Sequence, residues 1–82
     1  MKIIVTQSAV KQLLKIPYKQ RKRIENKIEA LIKNPFPFQS KKLSGRNGWR
    51  LRVGDYRVLY FFDKKKKIII ILSAQHRKDA NR

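Results

Sequence analysis

The spacing of apolar residues changes once along this chain, and that change limits the folds open to it. Between Tyr18 and Lys33 the apolar residues recur at the helical spacing of about 3.6 residues, at Ile24, Ile28, Leu31 and Ile32. From Trp49 onward, the segments WRLRV and YRVLYFFD alternate at period two, which is typical of half-buried strands. Helices followed by strands predict an α+β fold, with the helices packed on one face of an antiparallel sheet.

The first half of the chain is expected to supply a strand and a helical hairpin. Lys2–Val5 is β-branched and predicts a short N-terminal strand. A helix follows to about Lys15, with Thr6 or Ser8 as its N-cap. Its expected apolar side is Val10, Leu13 and Leu14. Pro17 ends that helix and fits the first turn of the next.

The second half is expected to form a three-stranded meander after the loop FPFQSKKLSGRNG. Its strands are Trp49–Val53, Tyr56–Asp63 and Ile68–Leu72, the last expected to be buried on both sides. Gly54–Asp55 predicts a tight turn between the first two. With the N-terminal strand added, residues 1–82 are expected to form a single two-layer domain.

The charge of the chain points to a polyanionic partner. Its 22 lysines and arginines outnumber 5 acids, which gives a net charge of +17 on 82 residues. Nucleic acid is favoured over an anionic membrane, because a membrane-binding helix should carry bulky aromatic residues opposite its lysines, whereas most aromatic residues here lie in the strand-like second half. Cysteine is absent, which excludes disulfides and thiolate metal sites, and no secretion signal is visible. We expect a cytoplasmic protein.

Three arginines are expected to share one face of the sheet. Arg50 and Arg52 alternate with Leu51 and Val53, so they should face away from the helices. A two-residue turn would bring Arg57 onto the same face. Such a cluster suits a phosphate, which a guanidinium grips in two places. The alternative is a set of solvated arginines.

The C-terminal segment AQHRKDANR holds the only histidine. A solvated tail is one interpretation. The other is that the last strand continues to His76 and Arg77 and delivers them to one end of the arginine-bearing sheet. A short helix after Arg77 would then return residue 81 to the side that Arg77 occupies.

The order KKLSGRNGWRLRVGDYRVLYFFD, a lysine turn, a β-branched strand and a closing HRKDANR resembles the RelE/ParE superfamily of toxins. The resemblance implies a toxin of a type II toxin–antitoxin module, with the microbial-ribonuclease-like RelE fold. RelE-like members cut mRNA in the ribosomal A site, by attack of a ribose 2′-hydroxyl on the adjacent phosphodiester, without metal or cofactor. The implied partners are an antitoxin, the ribosome with its rRNA, and mRNA. The toxin alone is expected to be monomeric, and hetero-oligomeric with its antitoxin.

The resemblance also implies roles for individual residues. Arg57 and Arg77 would stabilise the pentacoordinate phosphorane, and Arg50 and Arg52 would hold the mRNA backbone or serve the proton transfers. The expected RNA-binding residues are Lys41, Lys42, Arg46, His76 and Lys78. His76 suits a proton shuttle, or it is a strand-end histidine bonded to backbone.

One catalytic position departs from the family pattern. The family commonly carries a tyrosine where this chain has Asn81. An amide neither exchanges a proton nor stacks on a base, so we expect cleavage to be attenuated by about 10²–10⁴-fold. The origin of this asparagine, natural or engineered, is left open.

Two other functions remain compatible with the sequence. One is a ParE-like inhibitor of DNA gyrase, which cleaves nothing and does not require a phosphate-gripping arginine cluster. The other is a non-catalytic RNA- or ribosome-binding module.

Overall fold

The sequence predicts four of the five strands, and the helices, in their observed order. A computed structural model describes residues 1–45 and 47–80, apart from the side chains of Asp79 and Ala80. The elements are β1 (Lys2–Val5), α1 (Gln7–Leu14), α2 (Tyr18–Ala30), β2 (Ser40–Lys42), β3 (Trp49–Val53), β4 (Tyr56–Asp63), β5 (Ile68–His76) and α3 (Arg77–Ala80). The five strands form one sheet in the order β1-β5-β4-β3-β2. β1 runs parallel to β5, and the other pairs are antiparallel. The predicted α+β class is confirmed.

α1 begins where the sequence predicts but buries a different side. Thr6 caps it, accepting a hydrogen bond from the Ala9 N–H at 3.2 Å. Ala9 and Leu13, one turn apart, are its buried residues. Val10 and Leu14 lie further round the helix, and Leu14 is 67% exposed. The expectation that these two residues face the core was wrong, because only one narrow stripe of α1 meets the sheet.

α2 is shorter than its apolar pattern predicts. It begins at Tyr18, with Pro17 at the N-cap, and ends at Ala30 instead of Lys33. Ile24, Ile28 and Leu31 are buried as expected, whereas Ile32 is exposed.

The second strand, β2, was missed. Ser40–Lys42 falls in the segment expected to be a loop, yet it pairs with β3, placing Lys41 opposite Arg50. A three-residue edge strand with no apolar side chain leaves no hydrophobic alternation to detect.

β5 contains a bulge that the sequence analysis did not predict. The register with β4 shifts between Leu59 and Tyr60, whose partners are Ser73 and Ile71, so that Leu72 is the extra residue. Leu72 is exposed, and the expectation of a strand buried on both faces was wrong. Groups from α1 complete the hydrogen bonding here: Thr6 Oγ1 donates to the Leu72 carbonyl, and Gln12 Oε1 accepts from the Ala74 N–H at 2.8 Å.

The core lies between the two longer helices and one face of the sheet. It is built from the buried residues of α1 and α2 together with Leu51, Val53, Val58, Tyr60, Ile69, Ile71 and Ala74. Burial raises the pKa of Tyr60, a shift that a hydrogen bond with Ser40 partly opposes. The Tyr60 hydroxyl donates to the Pro35 carbonyl. No helix in the described part of the chain is long and apolar enough to cross a membrane.

Candidate nucleic-acid interface

Three arginines lie on the face of the sheet that points away from the helices, as predicted. The tight turn at Gly54–Asp55 pairs Val53 with Tyr56, which places Arg52 directly opposite Arg57. Gly54 adopts a φ of +58°, a left-handed conformation that glycine accepts without strain. Arg50 lies two residues before Arg52 on β3, and alternation puts it on the same face. We call Arg50, Arg52 and Arg57 the arginine face.

A cleft of about 430 Å³ opens over the arginine face. Its lining residues are Phe38, Gln39, Lys41, Arg50, Arg52 and Arg57. Four of the six are cationic and none is acidic. Like charges placed directly opposite one another destabilise a sheet, and both Arg52–Arg57 and Lys41–Arg50 are such pairs. An anion bound among them would relieve that repulsion. We refer to this opening as the cationic cleft.

The chain is fixed to the sheet as far as Arg77. The Arg77 N–H donates to the Asp55 carbonyl at 2.7 Å, and its Nε lies 4.0 Å from Asp55 Oδ1. Since Asp55 belongs to the turn that joins Arg52 to Arg57, Arg77 lies at the same end of the sheet as that pair. Its side chain is exposed, and such a surface ion pair contributes at most about 1 kcal/mol. Arg77 therefore lies at the same end of the sheet as Arg52 and Arg57, although it does not line the cationic cleft.

β5 extends to His76 at one end of the sheet, as expected, but the His76 side chain lies on the opposite face from the arginines. It pairs with Tyr56 across the sheet, and the two rings meet edge to face at 5.3 Å. The bulge at Leu72 explains the difference, because one extra residue exchanges the faces of every later side chain. Gln75, not His76, lies opposite Arg57. His76 Nδ1 accepts from the Lys78 N–H, as the alternative of a backbone-bonded histidine predicts.

Of the four remaining predicted RNA-binding residues, the structure describes three, and each lies at a different place. Lys41 lines the cationic cleft. Lys42 lines a different depression with Trp49 and Phe62, so alternation along β2 divides the two lysines between faces. Lys78 is exposed on α3. Arg46 and the predicted catalytic position Asn81 lie outside the described residues.

Two lining residues were missed by the sequence analysis, Gln39 and the aromatic Phe38. Phe38 is 97% exposed and borders the cationic cleft. An aromatic ring set between Pro37 and the polar run QSKK of a loop was the available signal.

No group of three histidine, aspartate or glutamate side chains within residues 1–45 and 47–80 is arranged to hold a metal ion.

A two-helix layer on a mostly antiparallel sheet, whose outer face carries a cationic cleft, defines a class of small basic α+β proteins. Comparison with known proteins makes this more specific. Residues 3–81 match the family described as the ParE toxin of type II toxin-antitoxin systems, parDE. The chain therefore belongs to this family and is a toxin of the RelE/ParE superfamily, as the sequence resemblance predicts.

Solved structures agree with this assignment. An archaeal RelE–RelB complex from Pyrococcus horikoshii OT3 is 32% identical, with a TM-score of 0.83, covering 93% of this chain and 93% of that one. A RelB–RelE antitoxin–toxin complex from Methanococcus jannaschii is 29% identical, with a TM-score of 0.78, covering 95% and 94%. The toxin–antitoxin complex RelBE2 from Mycobacterium tuberculosis is 25% identical, with a TM-score of 0.83, covering 93% and 96%. Comparison with curated protein sequences gives no significant match.

Proposed function

We propose that this toxin is a ribosome-dependent endoribonuclease that cleaves mRNA in the A site and so stops translation. The observation that carries the proposal is the cationic cleft, where Lys41, Arg50, Arg52 and Arg57 surround a space open to solvent. Three guanidiniums and an ammonium on one sheet face are poorly explained by stability, since like charges oppose one another there. They are well explained by a bound phosphodiester.

The proposed reaction transfers the phosphoryl group from the 5′-oxygen of one nucleotide to the 2′-oxygen of the ribose that already carries it at its 3′-oxygen. The 2′-oxygen loses its proton and attacks phosphorus, the P–O5′ bond breaks, and a proton reaches the leaving 5′-oxygen. The products are a 2′,3′-cyclic phosphate and a 5′-hydroxyl. Arg52 and Arg57 stabilise the added negative charge of the phosphorane, and Arg77 approaches from the adjacent turn. Arg50 and Lys41 hold the flanking backbone.

Proton transfer is the weak step in this proposal. His76 is on the other face of the sheet, so we assign it a structural role at the end of β5. Asn81 cannot exchange a proton, which leaves charge stabilisation by the arginines as the main catalytic contribution. We therefore expect slow cleavage.

The proposal includes a cognate antitoxin of the RelB type as partner. Toxins similar to this chain are described in complex with RelB antitoxins. A groove of about 460 Å³ between β1, α1 and α2 offers apolar side chains from all three elements, including Val5, Val10 and Leu14. An amphipathic segment of an antitoxin would bury them by folding into the groove.

Inhibition of DNA gyrase is the second candidate function. The matched family is named after the ParE toxins, and this observation favours it. A gyrase inhibitor would bind a protein surface and would not require the four cations of the cationic cleft.

Paired assays with purified toxin separate the two functions. In vitro translation of a defined mRNA should stop as the toxin is added, with cut mRNA recovered from ribosomes, while gyrase supercoiling continues. Arg57→Ala should restore translation, whereas Lys2→Ala, at an exposed lysine on the far edge strand, should not. Continued translation with blocked supercoiling would contradict the nuclease proposal and support the gyrase candidate.

A further inference from the structure

Phe38 is exposed in a way that core packing does not explain. The other aromatic residue of the same loop, Phe36, packs on Trp49 at 4.4 Å and on Phe62 at 5.5 Å between ring centroids. Phe38 is 97% exposed, the highest value among the large apolar residues of the described chain. A single exposed apolar residue is ordinary on a protein surface. What distinguishes Phe38 from an ordinary exposed residue is its position at the rim of the cationic cleft.

The backbone on both sides of Phe38 is fixed. The Pro37 carbonyl accepts from the Ser40 N–H at 2.9 Å and from the Ser40 hydroxyl at 2.8 Å, which closes a turn around Phe38 and Gln39. The Gln39 carbonyl, within this turn, accepts from the Arg52 N–H at 3.1 Å. The ring is thereby held on a turn that is bonded to the strand carrying Arg50 and Arg52.

We propose that Phe38 is a base-stacking residue, which binds the nucleobase of a nucleotide adjacent to the phosphate held in the cationic cleft. This inference rests on the proposed function and adds a determinant of RNA positioning to it. Single-stranded RNA presents a flat base beside every phosphate, so a cleft that grips phosphate places a base within reach of its aromatic rim. Stacking on an aromatic ring tolerates every base, so Phe38 contributes affinity and register without selecting a sequence.

The role of Phe38 also bears on the loss of the family's tyrosine. Asn81 offers no ring, whereas Phe38 supplies one at the rim of the cationic cleft. The toxin would then retain mRNA binding while it turns over slowly.

The test measures binding of a 2′-O-methylated RNA pentanucleotide, which cannot be cleaved, and of the same RNA with one abasic residue at each position in turn. Phe38→Ala should weaken binding of the intact RNA by about 5- to 150-fold, the equivalent of losing one base–aromatic stack. Phe38→Trp should retain binding. Tyr18→Ala removes an exposed aromatic residue of α2 and should leave binding unchanged.

The abasic series identifies stacking specifically. At one position, removal of the base should weaken binding to the wild type and make Phe38→Ala harmless, within about twofold, since the same contact is already lost. Phe38→Ala should also preserve the salt dependence of binding, whereas Arg52→Gln should lower its slope by about one.

Different failures of the test have different meanings. If Arg52→Gln weakens binding and Phe38→Ala does not, the inference is overturned and the proposed function stands. If neither variant changes binding, both are overturned. A Phe38→Ala effect that persists equally with every abasic RNA, or that appears only in antitoxin binding, also overturns the inference.

Discussion

Replacement of Arg52 by glutamine should make the toxin more stable while it weakens RNA binding. Arg52 and Arg57 face each other across the β3–β4 hairpin, and Arg50 lies on the same face. The Arg52 side chain is exposed, so its removal opens no cavity. Glutamine keeps most of the aliphatic stem and the backbone hydrogen bond to Gln39, and only the charge is lost.

The size of the gain follows from the register. Like charges directly opposite in an antiparallel pair cost on the order of 0.2–1 kcal/mol, and Arg52 takes part in one such pair. The free energy of unfolding should therefore rise by about 0.2–1 kcal/mol, which corresponds to an increase in Tm of about 1–8 °C for a domain of this size. In 1 M salt, where the Debye length is about 3 Å, the gain should largely disappear.

Thermal unfolding of the wild type and Arg52→Gln at low and high salt measures this directly. Lys2→Gln is the matched control, because Lys2 is a strand residue whose cross-strand partner, Ile68, carries no charge. A Tm below that of the wild type would mean that Arg52 stabilises the sheet, and a gain that persists in 1 M salt would mean that charge repulsion is not its cause. The explanation of the arginine face as a ligand site would then lose its main physical support.

Three further predictions concern the core, the bulge and the groove. Burial raises the pKa of Tyr60 above its ordinary value of 10.0, so the unfolded chain releases the phenolic proton first and stability should be lost as pH rises above 10. In denaturation measured against pH, the Tyr60→Phe variant should lose less stability than the wild type. An equal loss in Tyr60→Phe and in the control variant Tyr18→Phe would contradict the reasoning. Gln12→Ala leaves the Ala74 N–H without its acceptor and should lower the free energy of unfolding, measured in urea, by about 1–3 kcal/mol. Gln12→Glu keeps an acceptor oxygen and should retain most of the wild-type stability. Equal urea midpoints for Gln12→Ala and the wild type would refute this. Leu14→Asp should weaken antitoxin binding by about 10-fold or more without changing Tm, and a wild-type Kd would exclude the groove as the docking site.

The arginine face could be predicted because it depends on local rules. Alternation assigns Arg50 and Arg52 to one face, and the two-residue turn at Gly54–Asp55 fixes the register that brings Arg57 opposite them. No contact from a distant part of the chain is needed.

The position of His76 could not be predicted, because it depends on a distant contact. The bulge at Leu72 is completed by Thr6 and Gln12, more than sixty residues earlier in the chain. The sequence of β5 contains no glycine to mark the irregularity, and unbroken alternation assigns His76 to the wrong face. The exposure of Leu14 and the pairing of β2 with β3 likewise depend on how the helices and strands pack against one another in the folded chain.

Cleavage of ribosome-bound mRNA by the wild type and Asn81→Tyr is the most direct test of the central claim. Four residues after Arg77 make about one helical turn, so we expect residue 81 to return to the side that Arg77 occupies. On ribosomes with end-labelled mRNA in the A site, the wild type should cut slowly to a 2′,3′-cyclic phosphate, and Asn81→Tyr about 10²-fold faster or more. Equal rates would place residue 81 outside the site. No cleavage by either form would contradict the account of this toxin as a nuclease.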